Sequence, residues 1–581
     1  MPSSLKPGTV KFGLFEADLE RLLLTKQGLR VKIQEQPFHL LALLLERSGE
    51  ILTREEIRQK LWAADTFVEF DDGLNTAIRK LRQALGDNAE KPRFIETVTG
   101  KGYRFIAKID HAGPEEAAPA LIDHPGVLLV VLPFENLSRD PNETYLSDGI
   151  ADELTTRLGE ATPTHLGVMG RTTARECQRR GLTVEQMGRE LGAHFVIEGS
   201  VRGGAERTRI NARLVRVRDQ VQVWAKSYER KPGSLLEWQL ELAREIASAV
   251  KIAVPAGRRE SASRMRAVEP LAYDYYLRGL HYWNKRTPPG CIQAIPLFEK
   301  AIDIDPTYAL PYTGLADAFI LLAIHGVRSP EDTYPKARAA AAKALEIDPS
   351  LAEAHVALAD ISKGFDWDWG RAEAGYREAI RLNSNYGLAH QWYANLLSIR
   401  ERHEEAVREA EDARRLDPLS APAAGFVAFT LYRARRFEQA LKEVRRAMDL
   451  NPSSAVVNWF HALIRLQRGE NGLAQEAADA ALKESQGGSM FLATVGYALG
   501  RSGKRAAALE VAQSLERRLA EHYVSPLDLC VAYAGVDRRR AVEWLEKATR
   551  QRVMRVTELG MPLFDDLRAG KGFPKIATAL A

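Results

Sequence analysis

Leu74, Ile78, Leu81 and Leu85 recur at helical spacing and leave Asn75, Thr76, Arg79, Lys80, Arg82 and Gln83 on the other side, which predicts an amphipathic helix with one basic face. The pattern ahead of it is shorter in period. Lys11–Leu24 sets two short apolar runs around a charged bend, and Leu29–Ile33 adds another extended stretch, so a small antiparallel sheet is expected there. Pro37 then precedes FHLLALLLERSGE, apolar at 38, 40, 41, 43, 44 and 45, which predicts a helix buried on most of its circumference and ended by Gly49. Thr53 followed by Glu56 is a capping-box pattern, predicting a short helix from about 54 to 62, and Asp71 or Asp72 is expected to cap the basic helix. Beyond that helix, Ile95, Val98, Tyr103 and Phe105 are strand positions flanking the tight turn Gly100-Lys101-Gly102, which presents Thr99, Lys101 and Arg104.

From Val127 the periodicity changes. VLLVVLPF reads as a buried strand, followed by a helix over 144–160, an extended run at His165–Met169 and a helix over 183–191. HFVIEGSV, RTRINARLVRV and QVWAKSYER are three successive strands, and LLEWQLELAREIASAV is an amphipathic helix that closes the segment. Strands that alternate first with helices and then with each other imply an α/β domain of two or three layers.

Residues 270–560 carry a recurring phrase: AIDIDPTYA, ALEIDPSLA, AIRLNSNYG, ARRLDPLSA and AMDLNPSSA. Pro306, Pro349, Ser384, Pro418 and Pro452 hold equivalent places, and their later intervals settle near the ~34 residues of a tetratricopeptide repeat. Small residues recur with the same period at Ala394, Ala406 and Ala413, at Ala428, Ala440 and Ala447, and at Ala462, Ala474 and Ala481. The first interval is longer, with an insertion expected around 326–335. About seven to eight such helix pairs would stack into a superhelix with a long concave surface. Tyr282, Trp283, Phe365, Trp367, Trp369, Trp392 and Tyr393 are the aromatic candidates to line it.

Composition narrows the function classes. A chain of 581 residues with 45% apolar and 27% charged side chains can bury several cores. Its net charge of +4 is too small to identify a nucleic-acid binder, so any basic footprint must be local, as on the helix of residues 74–85. Cys177, Cys291 and Cys530 lie far apart, the usage of a reducing compartment, with no spacing for a local zinc site. No window reaches the ~18 apolar residues of a membrane span, so a cytoplasmic protein with no membrane partner is expected. GxxxxGK[ST], GxSxG and HExxH are all missing. Asp148, Asp152 and Glu153 share or border one helix face and could hold magnesium, yet acids early in a helix also offset its positive end. No catalytic residue, cofactor or metal is expected.

The pieces LLERSGEILTREEIRQKLW, LNTAIRKLRQALGD and FIETVTGKGYRF make residues 10–106 resemble the winged helix-turn-helix effector domain of the OmpR/PhoB type. The resemblance implies that the third helix enters the major groove of double-stranded DNA while the wing touches the minor groove or the backbone. It thereby implies Asn75, Thr76, Arg79, Lys80 and Arg82 on the helix, with Thr99, Lys101 and Arg104 on the wing, as DNA-binding residues. Response regulators of this type carry a receiver ahead of the winged helix; here that domain begins near residue 10, so the signal is expected to enter through the carboxyl-terminal part. Residues 127–253 resemble the TolB amino-terminal-like domain through LPFENLSRDPNETYLSDGIADEL, GRTTAREC, ELGAHFVIEGSVR and the stretch from Trp224 to Arg230. That resemblance brings no catalytic residues.

The expected fold class is therefore multidomain α+β: a winged helix-turn-helix over 1–108, a linker over 109–126, an α/β domain over 127–256, and an all-α tetratricopeptide superhelix over 270–560. The expected function is sequence-specific transcription regulation, with a protein, peptide or effector on the repeat array and a homodimer on DNA. The alternative is an assembly scaffold whose winged helix contacts protein.

Overall fold

The computed structural model describes residues 9–12, 15–18, 23–26, 29–31, 33–61, 70–85, 87–88, 92–98, 100–107, 109–110, 127–138, 144–161, 166–202, 208–230, isolated positions within 241–249, 268–569 and Phe573. The chain divides into two compact units, Met1–Leu121 and Ile122–Ala581.

The amino-terminal unit opens with β1 (Thr9–Phe12), β2 (Phe15–Asp18), β3 (Leu23–Lys26) and β4 (Leu29–Val31), an antiparallel meander. β8 (Ile109–Asp110) returns to pair with β1, giving the order β4-β3-β2-β1-β8. Helix α1 (Glu35–Glu46) starts ahead of the expected position, and Pro37 sits inside its first turn, where a helix leaves backbone N–H groups unbonded and a missing donor costs nothing. Phe38, Leu40, Leu41 and Leu44 are buried in α1, and Gly49 takes the left-handed φ of 83° just past its end. β5 (Ile51–Thr53), α2 (Arg54–Leu61), α3 (Phe70–Leu85), β6 (Ile95–Val98) and β7 (Gly102–Phe105) complete the unit. α3 begins at Phe70, so Asp71 and Asp72 lie within its first turn rather than capping it. Leu74, Ile78, Leu81 and Leu85 are all buried, joined to an aromatic cluster of Phe12, Phe15, Phe94 and Phe105 with ring centroids 5.2 to 6.5 Å apart.

In the carboxyl-terminal unit, β9 (Val127–Val131) pairs in parallel with β11 (Leu166–Val168) and β12 (Phe195–Arg202), while β13 (Thr208–Arg216) and β14 (Val221–Arg230) extend the sheet antiparallel. The short β10 (Glu135–Asn136) also pairs with β12. Alternation along β9 fills two cores. Val130 packs with Met169, Cys177 and Met187 beside α5 (Arg171–Arg180) and α6 (Val184–Leu191). Leu129 and Val131 pack with Ile150, Leu154 and Leu158 of α4 (Thr144–Ala161), and this second core continues without interruption into Tyr273, Tyr276, Leu277 and Phe298 of the repeats. The amphipathic helix expected after β14 falls largely outside the described residues; of it, Leu242 and Ile246 are fully buried and Glu241 and Glu245 pair with Lys226.

The repeats run as eight consecutive helix pairs among the described residues, from Pro270–Trp283 with Pro288–Ile304 to Pro526–Ala534 with Arg538–Arg550. Each recurring alanine from Ala394 to Ala481 is at least 97% buried, because only a methyl group fits where paired helices approach. The expected insertion is absorbed by longer helices: Ala309–Ile324 has 16 residues and Pro330–Ile347 has 18, against 13 and 14 in Ala421–Arg433 and Phe437–Leu450.

The array is contacted from both ends of its own unit. Asn385 accepts a hydrogen bond from Val168 N–H at 3.1 Å and donates to the Leu166 carbonyl at 3.0 Å. Asp417 caps α5 across the domain boundary, accepting the Thr173 N–H at 2.6 Å. A Cβ on Gly170 would stand 2.6 Å from the Asp417 carboxyl carbon, so glycine is what lets the carboxylate reach the helix end. At the far end, turns Met554–Glu558 and Pro562–Phe564 and helix Asp565–Arg568 fold back over the array. Arg552 donates to the Phe365 carbonyl at 2.9 Å, Asn395 to Glu558 at 2.9 Å, and Arg435 pairs with Asp565 at 2.6 Å.

Candidate nucleic-acid interface

Helix α3 and the β6–β7 wing meet at their backs and are tied together by polar side chains. Arg82 Nη2 donates to the Ile95 carbonyl and to Thr97 Oγ1, both at 2.8 Å. Asn75 Oδ1 accepts from Tyr103 Oη at 3.2 Å and from Arg54 Nη2 at 3.1 Å, so α3, β7 and the start of α2 share one junction. Arg54 also lies over the Tyr103 ring, 5.7 Å from its centroid. Sequence reasoning passed over Arg54. Its signal was its place directly after the capping Thr53, at the mouth of α2.

The capping box is present in full. Thr53 N–H donates to Glu56 at 2.8 Å, and Glu56 N–H donates to Thr53 Oγ1 at 3.2 Å. Arg47 reaches the same carboxylate at 2.8 Å, and this guanidinium, followed by the Thr53 bonds, lowers the Glu56 pKa to about 2.

The wing turn needs both glycines. Gly100 has φ 73°, and a Cβ at Gly102 would stand 2.0 Å from the Leu52 carbonyl oxygen, since β7 packs directly on β5 there. Lys101 N–H donates to the Val98 carbonyl at 3.0 Å and closes the turn, leaving its side chain exposed at the tip.

The structure treats the eight expected contact residues unequally. Arg79 and Lys101 are exposed and have no ion pair or side-chain hydrogen bond among the described residues. Thr76 is half-buried on the same helix. Lys80 donates to Gln34 at 2.7 Å, and Arg104 pairs across the strands with Glu96 at 2.6 Å. Arg82 and Asn75 are engaged internally as above, and Thr99 lies outside the described residues. The outward basic groups of this surface therefore centre on Arg79 and Lys101, one on the helix and one on the wing.

The carboxylates of α4 hold arginines. Asp148 pairs with Arg175 at 2.5 Å and Asp152 with Arg171 at 2.7 Å, while Glu153 accepts from Tyr276 Oη at 2.7 Å. Burial raises the Asp152 pKa to about 6 against the pull of Arg171 and Arg175. His390, Glu409 and Asp412 also converge, but His390 Nδ1 meets Glu409 at 2.7 Å and Nε2 meets the Ser384 carbonyl at 3.1 Å, so both ring nitrogens are engaged by protein. No helix among the described residues is long and apolar enough to cross a membrane.

Residues 28–105 match the family model described as "Transcriptional regulatory protein, C terminal". The chain is similar to the transcriptional regulator HilA of Salmonella typhimurium, 25% identical over 399 residues that make up 68% of each protein. It is also similar to a protein named "Putative adenylate cyclase 3" of Rhizobium meliloti, 29% identical over 273 residues, 47% of this chain and 45% of that one, so the chain spans less than half of that relative. Among solved structures, the RstA DNA-binding domain of Klebsiella pneumoniae in complex with RstA box is 32% identical, covering 17% of this chain and 96% of that chain, with a TM-score of 0.16.

Proposed function

We propose that this chain is a sequence-specific DNA-binding transcriptional regulator whose input lies in its carboxyl-terminal unit. One observation carries the reading: two elements locked together by Arg82 and Asn75 each present an exposed cation with no partner among the described residues, Arg79 on α3 and Lys101 on the wing tip. A rigid helix with a hairpin beside it can address two grooves of one duplex. In this reading α3 enters the major groove, where Arg79 meets a guanine edge and Thr76 lies close to the bases, while Lys80, Lys101 and Arg104 meet phosphates. Asn75 and Arg82 hold the helix and the wing in register. A single winged helix makes a modest interface, so operator binding uses two copies on paired half-sites. The match over residues 28–105 and the similarity to HilA support this reading.

The parts beyond the winged helix are assigned with it: a linker over 109–126, a TolB amino-terminal-like domain over 127–256, and a tetratricopeptide array over 270–560 that receives a protein, peptide or effector. The regulator works in the cytoplasm. Mobility-shift titration of the full chain on genomic fragments, with matched and scrambled sites at several salt concentrations, tests the proposal. Specific retardation that weakens with salt is the expected result. Failure to retard any fragment at low salt overturns it.

A further inference from the structure

Between the sheet domain and the repeats lies a cavity of about 800 Å³, a volume that suits a small molecule. One corner of it is closely defined. Arg171 Nη1, at the start of α5, stands 3.5 Å from the Asn284 carbonyl, and Asn284 Nδ2 donates to Asp152 of α4 at 2.9 Å. The turn that follows, Lys285-Arg286-Thr287, joins the first two repeat helices and lies on the cavity wall beside Trp283.

The carboxylates of the wall have partners or are drawn toward neutrality. Asp152 pairs with Arg171 at 2.7 Å, Glu153 with Arg157 at 3.8 Å and Glu558 with Arg433 at 3.4 Å, while Asp417 caps α5. Burial, followed by the charge of Glu160, raises the Glu353 pKa and favours its neutral form. Burial likewise lifts the Asp317 pKa to about 7 against the pull of Arg286, so near neutral pH this acid is only partly ionised and offsets Arg286 only in part.

The cations of the same wall divide differently. Arg157 and Arg171 are paired as above, and Arg555 binds Asp528 at 3.0 Å. Lys285 and Arg286 form no ion pair or side-chain hydrogen bond among the described residues. Each lies instead over an aromatic ring, Lys285 over Tyr282 and Arg286 over Trp283, both 4.7 Å from the centroid.

A second observation is independent of charge. Trp283 Nε1 is buried on this stretch of wall and has no hydrogen-bond partner among the described residues. A donor shut away from water is costly to leave unpaired, and a ligand oxygen relieves that cost. Tyr386, within the field of Arg286, adds a second aromatic face to the lining. Two consecutive cations without counter-ions, an orphaned N–H and aromatic surface call for one complement: oxygen acceptors bearing negative charge on an apolar body.

We propose that Lys285 and Arg286 form the binding site for a small organic oxyanion, a carboxylate or a phosphate monoester, with Trp283 Nε1 as a further donor. The inference deepens the regulator reading by naming the class of effector and its place, and it rests on that reading only for the purpose of the site. Binding itself is measured without DNA.

The test is calorimetric titration of the full chain with benzoate and with phenyl phosphate, beside benzamidine as a ring of the same size and opposite charge. Saturable binding of at least one anion is expected, with a raised melting temperature, and whichever of the two binds more tightly identifies the anionic group. Benzamidine should not compete. Lys285→Gln with Arg286→Gln should weaken the anion by about tenfold or more and leave the unliganded melt near that of the parent, since neither cation has an ion pair to lose among the described residues. If the double variant does not fold, hydrogen exchange on the unaltered chain decides: the bound anion should slow exchange from Asn284 to Thr287, and unchanged exchange there overturns the site. No saturable binding of either anion, tighter binding of benzamidine, or anion binding untouched by the two substitutions also overturns it. Intact DNA retardation in that case confines the failure to the ligand site, whereas lost retardation with retained anion binding would sink the regulator reading alone.

Discussion

Arg82 Nη2 donates to the backbone carbonyl of Ile95 at 2.8 Å, so the last turn of the basic helix is fastened to the first strand of the wing. Ile95 is fully buried, and its carbonyl has no route to water if that donor is lost. Arg82→Met should therefore destabilise the winged helix by about 1–3 kcal/mol, the cost of stranding a buried acceptor and losing the bond to Thr97. DNA affinity should fall equally on matched and scrambled sites, since the damage is to the pose of the wing. Denaturant melts and paired mobility-shift titrations check this. A selective loss on the matched site alone would return Arg82 to base reading.

Arg79 should behave in the opposite way. Exposed and without a partner among the described residues, it contributes little to the fold, and Arg79→Ala should leave the melt within about 0.5 kcal/mol of the parent. Discrimination between matched and scrambled DNA should drop by about 1–3 kcal/mol if the guanidinium forks onto a guanine edge. Lys101→Ala should weaken both sites alike and lower the salt slope by about one. Titrations over a salt series separate the two, and an equal loss on both sites for Arg79→Ala would reject its base-reading role.

The spacing of Leu74, Ile78, Leu81 and Leu85 revealed the buried face of α3, and Thr53 with Glu56 revealed the start of α2, because both signals are local in the chain. The recurring alanines were legible for the same reason. Helix α5 was not, since RTTARECQRR buries only Thr173, Ala174 and Cys177 and takes its amino-terminal cap from Asp417, 244 residues away. The use of Arg82 was equally hidden. An arginine that faces DNA and one that binds a strand carbonyl look alike in sequence, and only the fold places Ile95 beside it. The docking of the sheet domain on the array rests on contacts such as Asn385 with Leu166, 219 residues apart, which no periodicity announces.

The junction at Glu56 predicts a pH dependence. Its folded pKa of about 2 lies below the ordinary glutamate value of 4.5, so the carboxylate stabilises the folded state at pH values above 4.5, and that contribution is lost as pH falls toward 2. Glu56→Gln cannot titrate and keeps one acceptor for the Thr53 N–H. Between pH 5 and about 2.5 the parent should lose more stability than the variant, so the difference between their melting temperatures narrows as the solution becomes more acid. Parallel acid melts that keep a constant gap would refute the assignment.

Asn385 stands at the open edge of the sheet and acts there as a short strand would. In an extended strand, the carbonyl of one residue and the N–H two residues later point to the same side, and the Asn385 amide meets this pair in β11: Nδ2 donates to Leu166 and Oδ1 accepts from Val168. β11 is the terminal strand of the order β11-β9-β12-β13-β14, so among the described residues these groups have no neighbouring strand to satisfy them. Leu166 is fully buried and Val168 is 2% exposed, which shuts out solvent as a substitute. Asn385→Ala should consequently cost about 2–4 kcal/mol, two unsatisfied backbone groups at roughly 1–3 each with partial relief from relaxation. The loss should be focused: hydrogen exchange at Val168 should accelerate, while exchange in β13 and β14 stays near that of the parent. Asn385→Asp removes the donor but retains the acceptor and should fall between the two. Unchanged protection of Val168 in the alanine variant would mean that the side-chain amide does not close this edge, and that the sheet domain is held against the array by the apolar core around Tyr276 and Leu277 and by polar contacts such as Asp417 with Thr173.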